Sequence, residues 1–324
     1  MKLSCLALKV LSVLAFTLLA ASAATAQRQP DRFPNRAVRI IVPFPAGGPA
    51  DMVARLIGMK LADAWHETVI VENRPGANTV VGAKFVARAP PDGYTLLMAI
   101  DSTLVMNQFM YRTPPYDPLN DFAPVTLVAR TTQLLLVNAA SNVTSVGALV
   151  AQAKADPGRL TYGAGTLTTK LAGFMFSKAT GVSTTLVPYN GSADVAQALL
   201  TRTVDFAVDG PTAEMANIEA GKFRALAKFD ARPFPPVPDL PVVPGLDEVT
   251  VWLGLVAPRG TPSDVIDKLQ RDVAAALSDR AVVATAVAAG VYPTTSTPAE
   301  FAVFIRREAE RWSKVLPETG MRFD

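Results

Sequence analysis

A turn made of Ala46, Gly47, Gly48 and Pro49 is the first segment whose residue types suggest binding chemistry. It follows an apolar strand pattern and leads directly into a helix pattern. The glycines remove side chains from the bend, and proline suits the first helical position, where its missing N–H is not needed. Free amide groups and the positive end of the helix dipole favour an anion at such a place. Strand-turn-helix units that bind nothing share these features, so the turn alone leaves both interpretations open.

A second glycine turn opens another helix pattern in GAGTLTTKLAGFMF, residues 163–176. This segment lacks the Gly-Lys-Ser/Thr ending of a phosphate loop. The part GAGTLT also fails the dinucleotide pattern G-x-G-x-x-G, because it ends in Thr168. The segment therefore does not indicate a nucleotide site.

Residues for hydrolytic catalysis or metal binding are scarce. His66 is the only histidine, and it lies between a helix pattern and a strand pattern, far from any G-x-S-x-G turn, so we interpret it as a surface residue. A zinc motif H-E-x-x-H is impossible with one histidine. We predict no catalytic site, no cofactor and no metal site, and we expect chelators to leave ligand binding unchanged. An exported enzyme is the less favoured alternative.

Residues 1–26 have the pattern of a secretory signal peptide. Lys2 and Lys9 precede or flank an apolar run too short to span a bilayer, and an A-x-A-like site ends at Ala26. Cleavage there would leave 298 residues and remove Cys5, the only cysteine, so the remainder would have neither a disulfide nor a cysteine metal site. Cys5 also precedes the apolar run, where a lipoprotein anchor is not expected. We predict a soluble periplasmic protein.

The charge balance argues against a nucleic-acid-binding protein. Because the leader carries two lysines and no acid, residues 27–324 have 29 Lys+Arg against 28 Asp+Glu, a net charge of +1. A basic stripe with interleaved aromatic residues is also missing. At roughly 150 residues per domain, this length suffices for about two domains.

Strand and helix patterns alternate along the chain, which is typical of an α/β fold with parallel strands covered by helices. The strand patterns cover residues 38–42, 68–72, 94–99, 134–137, 160–162, 186–188, 204–208, 223–228 and 252–257. Helix patterns cover residues 51–65, 80–88, 146–155 and 192–200, and two further helices with capping signatures at Thr261 and Thr297 close the chain. The many prolines of residues 231–245 predict an ordered surface loop.

A set of short motifs occurs in one order over nearly the whole of residues 27–324. They are VPFPAGGPAD, VENRPGA, PDGYTLL, PYDPLNDFAPVTLVA, VPYNGSA, GKFRALA, WLGLVAPRGTP and RWSKV. Each motif is weak alone, but the ordered set resembles the Bug family of periplasmic solute-binding proteins, which are associated with tripartite tricarboxylate transporters.

The resemblance implies a type II-like periplasmic binding protein with two domains, each a mostly parallel sheet flanked by helices, and a ligand cleft between them. Residues 27–131 and 251–324 would form domain 1, and residues 132–250 would form domain 2. Such proteins close around small carboxylates by hinge bending at the two crossings between domains. The implied function is delivery of a carboxylate to the permease subunits of a tripartite tricarboxylate transporter by a monomer. Signalling to a membrane sensor such as a sensor kinase is an alternative.

Carried over to this chain, the resemblance places ligand contacts in several loops. They are Phe44, Ala46, Gly47, Gly48, Pro49, Ala50 and Asp51 in the first loop; Ser102, Thr103 and Asn107 in AIDSTLVMN; Gly165, Thr166, Leu167, Thr168, Thr169 and Lys170 in the second domain; and Tyr189 and Asp209. Several of these have a structural alternative as helix caps or turn residues. We expect the helix starts at residues 48–51 and 166–170 to face each other and to hold one small anion, a carboxylate.

Two departures from the family pattern bear on the ligand. Family members commonly have Gly-Gly-Gly-Thr/Ser-Asp in the first loop, so Pro49 and Ala50 cost this chain one N–H and one hydroxyl. The second-domain loop is shortened, and Lys170 stands where family members often have histidine. We hypothesise that the ammonium group of Lys170 compensates by reaching the ligand, with a solvated surface lysine as the alternative.

Overall fold

A computed structural model of the protein describes residues 33–246 and 249–320. The predicted signal peptide lies outside these residues. The described residues from Arg36 onward form one compact unit. Among the described helices, none has both the length and the apolar character needed to cross a membrane.

The described residues build two β-sheets that share no strand. The six-stranded sheet has the order β11-β4-β10-β3-β1-β2 and contains β1 (Val38–Val42), β2 (Val69–Asn73), β3 (Thr95–Ile100), β4 (Phe122–Thr131), β10 (Val251–Pro258) and β11 (Val291–Pro293). The five-stranded sheet has the order β7-β6-β8-β5-β9 and contains β5 (Leu134–Asn138), β6 (Thr161–Ala164), β7 (Thr185–Pro188), β8 (Phe206–Asp209) and β9 (Phe223–Lys228).

Helices connect the strands. They are α1 (Pro49–Trp65), α2 (Val80–Ala87), α3 (Asn107–Met110), α4 (Val146–Ala155), α5 (Leu167–Thr180), α6 (Ser192–Leu200), α7 (Pro211–Glu219), α8 (Ser263–Leu277), α9 (Arg280–Ala288) and α10 (Pro298–Val315). A π-helical turn, Ser102–Met106, precedes α3, and a 3-10 turn, Leu316–Thr319, follows α10.

The predicted α/β fold class is confirmed, but the sheets are mixed and not mostly parallel. Strands within one β-α-β unit pair in parallel, as β1 does with β2 and β3. Strands that enter a sheet from the other sheet run the opposite way, so β10 is antiparallel to β3 and β4, and β5 is antiparallel to β8 and β9. The chain crosses between the sheets after Thr131 and returns before Val251.

The apolar patterns of the sequence become the core. In β1, Val38, Ile40, Ile41 and Val42 are fully buried, as expected for a strand covered on both faces. The predicted apolar stripe of α10 packs on the six-stranded sheet, where Trp252 meets the ring of Phe301 at 5.9 Å between ring centroids. Residues 231–245 have neither helix nor regular strand, as predicted, but the side chains of Phe234, Leu240 and Val243 are buried.

Two predictions for the last quarter of the chain need correction. The capping box predicted at Thr261 does not form: α8 starts at Ser263 without a side-chain cap, and Thr261 Oγ1 donates to the carbonyl of Pro258. Three α-helices, not two, lie in this region, since α9 begins where Asp279 accepts hydrogen bonds from the amides of Ala281 and Val282. The capping box of Thr297 with Glu300 is confirmed.

Candidate functional site

The first glycine turn joins β1 to α1 and is held from behind by Asp51. Gly47 has φ +94°, a conformation that favours glycine, and Gly48 caps α1 without any side-chain hydrogen bond. The Asp51 carboxylate accepts from the amide of Gly47 (3.1 Å), from Arg55 (2.8 Å) and from Asn73 (2.9 Å). Burial alone would raise the pKa of Asp51, but these hydrogen bonds outweigh it and lower the pKa. Asp51 is therefore ionised and fixes the turn, while the first amides of α1 stay open.

The second glycine turn leads into α5, whose start is closed by its own side chains. Thr166 and Thr169 form a capping box in which each hydroxyl accepts from the backbone amide of the other. Thr168 Oγ1 donates to the buried carboxylate of Asp101 at 2.8 Å. Leu167 and Leu171 pack in the hydrophobic core of the six-stranded sheet. The first turn of α5 thus ties a helix of the five-stranded sheet to the neighbouring sheet.

Two more helices begin at the same place. Helix α6 is capped by Gly191, and α7 is capped by Gly210 with Pro211 at its first position; neither cap makes a side-chain hydrogen bond. Asp209, at the end of β8, accepts from Ser192 Oγ (2.9 Å) and from the amide of Gly210 (2.7 Å). This carboxyl group therefore links the starts of α6 and α7.

The starts of α1, α5, α6 and α7 surround one cavity of about 140 Å³, which we call the helix-start cavity. It is lined by Phe44, Pro45, Ala46, Gly47, Gly48, Pro49, Ala50, Ile100, Thr131, Gln133, Thr166, Thr169, Gly191, Ser192, Ala193, Asp194, Asp209, Gly210, Ala213 and Val251. Its floor contains the residues next to both crossings between the sheets. In the described part of the chain no lysine or arginine lines it. Backbone amides at helix starts are its electropositive groups, and such groups bind carboxylates and phosphates.

A second cavity of about 280 Å³ adjoins the first, and Phe44, Pro45 and Thr166 line both. We call it the loop cavity, because the loop of residues 75–79 forms one wall. Ala77, Asn78 and Thr79 all have positive φ, which is strained for residues other than glycine. Side chains from residues 103–111 hydrogen-bond to this loop.

Three side-chain hydrogen bonds hold residues 77–79 of this loop. Tyr111 Oη donates to the carbonyl of Ala77 (3.0 Å), Asn107 Nδ2 donates to the carbonyl of Asn78 (2.7 Å), and Thr103 Oγ1 donates to Thr79 Oγ1 (3.0 Å). Thr103 and Asn107 are buried and line neither cavity. Their position fits the structural alternative for these residues, which support the wall of the loop cavity.

The predicted contact residues divide into cavity-lining and supporting groups. Lining the helix-start cavity are Phe44, Ala46, Gly47, Gly48, Pro49, Ala50, Thr166, Thr169 and Asp209; lining the loop cavity are Phe44, Ser102, Gly165, Thr166, Leu167 and Tyr189. Lining neither are Asp51, Thr103, Asn107, Thr168 and Lys170. The first group stays a set of predicted ligand contacts. In the second group, the side chains of Asp51, Thr103, Asn107 and Thr168 make hydrogen bonds that support the neighbouring turns and helix starts.

Lys170 does not occupy the position that our hypothesis requires. It lines neither cavity, and its side chain is 8 % exposed. Burial lowers the pKa of its ammonium group. The surface-lysine alternative is also wrong, because the residue is buried. Besides the start of α1, the starts of α6 and α7 line the helix-start cavity without a side-chain cap.

Sequence reasoning missed the starts of α6 and α7 as parts of the site, apart from Asp209 and Tyr189. The signal was present: Gly210-Pro211 repeats the Gly48-Pro49 pattern, and Gly191-Ser192 opens a helix directly after a strand. His66 is exposed and caps the far end of α1 with φ 58°. A helix of 17 residues is about 25 Å long at 1.5 Å per residue, so the only histidine lies far from the cavity.

Comparisons with known proteins agree with this architecture. The family model described as "Tripartite tricarboxylate transporter family receptor" matches residues 53–321. Protein BugT of Bordetella pertussis is 34 % identical over 300 residues, covering 90 % of this chain and 92 % of BugT.

Two solved structures resemble the described fold over nearly their whole length. Rpa4515 of R. palustris, solved with adipate, has 35 % identity and a TM-score of 0.85, covering 90 % of this chain and 99 % of that one. MatC (Rpa3494) from Rhodopseudomonas palustris, solved with bound malate, has 29 % identity and a TM-score of 0.81, covering 87 % of this chain and 99 % of that one.

Proposed function

This chain belongs to the family of tripartite tricarboxylate transporter receptors, and on that premise we propose that it captures a small carboxylate in the helix-start cavity and delivers it to the permease subunits of such a transporter. The resemblance to the Bug family that the sequence motifs indicated is confirmed. Its members are periplasmic solute-binding proteins. We propose no catalytic role for this chain.

The observation that carries the proposal is one cavity, lined by no basic side chain among the described residues, at which the uncapped starts of α1, α6 and α7 meet. The first amides of a helix have no acceptor within the helix, so they need a partner from outside. A carboxylate oxygen accepts several such hydrogen bonds at once.

The two solved relatives hold adipate and malate, and both of these are dicarboxylates. For this chain we propose the same broad class, with one carboxylate at the helix starts and the rest of the ligand extending toward the loop cavity. The specific acid is left to experiment.

We also propose that the two sheets belong to two domains, with residues 27–131 and 251–324 in one and 132–250 in the other. The crossings next to Thr131 and Val251 contribute residues to the cavity floor, so a ligand bound there contacts the hinge directly. Hinge bending at these crossings would close the cleft on loading, as in other binding proteins. A loaded monomer should then have a smaller scattering radius than the empty one.

Export by the N-terminal segment completes the proposal, since a receptor of this family meets its solute in the periplasm. Cleavage after Ala26 would leave a monomeric receptor without cysteine. The permease is the proposed partner; a sensor protein would use the same loaded form.

A thermal-shift screen tests the proposal. The protein is unfolded and refolded to remove any co-purified ligand, then mixed with dicarboxylates, citrate, acidic amino acids, aromatic acids and neutral sugars. A ligand at about 100 times its Kd stabilises the folded state by about 2.7 kcal/mol. For a chain of this size that is a Tm increase of about 5 °C. A shift by a neutral solute and by none of the acids would contradict the proposal.

A matched pair of variants links the effect to the helix starts. In Gly48→Asp the added Cβ meets nothing within 4 Å, and aspartate is a favoured helix cap, so the fold should tolerate it. Its negative charge should nevertheless repel a carboxylate and abolish the shift. Gly147→Asp places the same charge near an exposed helix start outside both cavities and should bind like the parent.

A further inference from the structure

Two buried carboxyl side chains lie close together at the helix-start cavity, which Asp209 lines. Asp209 is 2 % exposed and Glu214, in the first turn of α7, is 0 % exposed. Asp209 Oδ2 and both carboxyl oxygens of Glu214 are buried without a hydrogen bond of normal geometry. The polar side chains close to Glu214 are those of Asp209 and Asn217. Two ionised carboxylates in contact, away from water and without a cation, would repel each other strongly.

The charged groups of the neighbouring elements do not relieve this repulsion. On α6, Asp194 is acidic and exposed; on α7 itself, Glu219 is acidic and exposed. On β9, Lys228 donates to the carbonyl of Arg232, and Arg224 donates to the carbonyls of residues 139, 141 and 143. The contact between α7 and the segment before β11 is a hydrogen bond from Thr212 to a backbone carbonyl. Within the described residues, the acid pair therefore has no cationic partner.

A proton between the two groups resolves the repulsion. Burial, and then the neighbouring Asp209 carboxylate, raise the pKa of Glu214 well above its usual range. Burial also raises the pKa of Asp209, against the lowering effect of its hydrogen bonds from Gly210 and Ser192. Glu214 is therefore the group that keeps the proton, and Asp209, with two donors already bound, is the group that carries the charge.

This arrangement fixes the direction of the Ser192 hydroxyl. Because Ser192 Oγ donates its hydrogen to Asp209, the oxygen can only accept from a ligand in the cavity it lines. Asp194 adds a second acceptor to the same wall. Of the lining residues on α6, Ser192 and Asp194 thus offer acceptors for a ligand O–H or N–H group and no side-chain donor for a carboxylate.

We propose that Glu214 holds a proton shared with Asp209, that this pair keeps Ser192 as a hydrogen-bond acceptor, and that the cavity therefore selects carboxylates that also carry a hydroxyl or ammonium group. The selectivity rests on the proposed function, because it assumes a carboxylate at the helix starts. The shared proton does not depend on any ligand.

The shared proton is tested on the empty protein by melting curves at pH 5 and pH 9.5. A group whose pKa is raised in the folded state contributes stability at low pH and loses it as the pH rises through the raised pKa. Relative to Glu214→Gln, which cannot ionise, the parent should lose about 4 °C or more in Tm between the two pH values. Glu219→Gln, an exposed site on the same helix, should melt in parallel with the parent.

A constant Tm difference between the parent and Glu214→Gln at both pH values would overturn the shared proton. If the variant does not fold, the parent labelled with ¹³C at its glutamate carboxyl carbons decides the question by NMR titration. One glutamate that titrates well above the others supports the proton, and a set that titrates together in the ordinary range overturns it.

The selectivity is tested at pH 7 by calorimetry with succinate, L-malate and L-aspartate, which differ in one substituent. A site built to bond a ligand O–H or N–H discriminates against the analogue that lacks it. We expect malate or aspartate to bind about tenfold or more tighter than succinate. In Ser192→Ala this ratio should fall to about threefold or less.

The possible outcomes distinguish a failure of the selectivity from a failure of the proposed function. Equal binding of all three acids leaves the proposed function standing and overturns the selectivity. A preference that survives in Ser192→Ala also overturns it. Binding of none of these acids, nor of any acid in the thermal-shift screen, contradicts the proposed function, and the selectivity falls with it, whereas the melting curves still decide the proton.

Discussion

The starts of α1 and α5 resemble each other in sequence and differ in the structure. Both follow a strand and a glycine turn. The α1 start has no capping side chain, and Asp51 holds its turn so that the first amides face the helix-start cavity. The α5 start satisfies two of its amides internally through Thr166 and Thr169, and its next residues bind the neighbouring sheet. A glycine turn before a helix therefore does not determine whether the first amides of that helix bind a ligand or stabilise the fold.

This comparison assigns binding to α1 and attachment to α5. The assignment predicts opposite responses to substitution: changes at α5 should affect stability, and changes at α1 should affect ligand binding.

The largest effect is expected from Leu171→Ala. Leu171 lies on α5 but is fully buried in the core of the six-stranded sheet, so its truncation should leave a cavity that costs about 2–5 kcal/mol of unfolding free energy. Denaturant unfolding of the empty protein measures it. Met59→Ala, at an exposed position of α1, is the control and should change stability by less than about 0.5 kcal/mol. A loss below about 1 kcal/mol for Leu171→Ala would contradict the role of α5 as an attachment.

A somewhat smaller effect is expected from Asp101→Asn, which acts on the contact between Thr168 and the six-stranded sheet. Burial raises the pKa of Asp101 to about 7, against the lowering effect of its bonds from Thr168 and Ser102, with Glu308 adding to the rise. The folded protein therefore binds an extra proton between about pH 4 and pH 7 and loses the associated stability as the pH rises. The side-chain amide that the substitution introduces would not titrate.

Relative to the parent, Asp101→Asn should therefore gain about 2–4 kcal/mol of unfolding free energy between pH 4 and pH 8. Denaturant unfolding at the two pH values gives the difference. Asp63→Asn, an exposed aspartate on α1, should show no such change. A parent and variant that keep the same difference at both pH values would show that Asp101 is ionised throughout.

The smallest effect is expected from substitutions that remove the capping side chain of α5 or add one to α1. Thr166→Ala removes a capping side chain and should cost about 1 kcal/mol, with Thr166→Ser as the conservative control. Gly48→Ser adds a cap to α1 and should stabilise the empty protein by about a few tenths of a kcal/mol. The new hydroxyl would occupy amides that a ligand needs, so the Tm increase caused by the ligand should shrink. If the ligand raised the Tm of Gly48→Ser as much as that of the parent, the assignment of ligand binding to the α1 start would be wrong.

Much of the fold was accessible from the sequence, because local patterns determine it. The strand Val38–Val42 and the helices Val146–Ala155 and Ser192–Leu200 have the predicted bounds, and the ordered motifs indicated the family and the fold class. Helix α9 was missed although Asp279 is a good capping residue, because its pattern continues that of α8 almost without a break.

The site was accessible only in part. The first loop could be located from Gly47, Gly48 and Pro49, since these residue types act locally. The burial of Lys170 and Glu214 could not be predicted from the sequence. Charged residues on helices are usually exposed, and whether they are buried depends on elements distant in sequence. The capping role of Thr166 with Thr169 was visible in the Thr-x-x-Thr spacing but was attributed to a ligand.

Among the described residues no basic side chain lines the helix-start cavity, and this affects how fast a ligand arrives. Charged side chains act over distances comparable to the Debye length, about 8 Å at physiological ionic strength, and speed up encounter with an oppositely charged solute in a salt-dependent way. Helix-start amides act within about one turn of the helix. Capture should therefore gain nothing from long-range attraction, and its association rate should not fall when the salt concentration outside the cell rises.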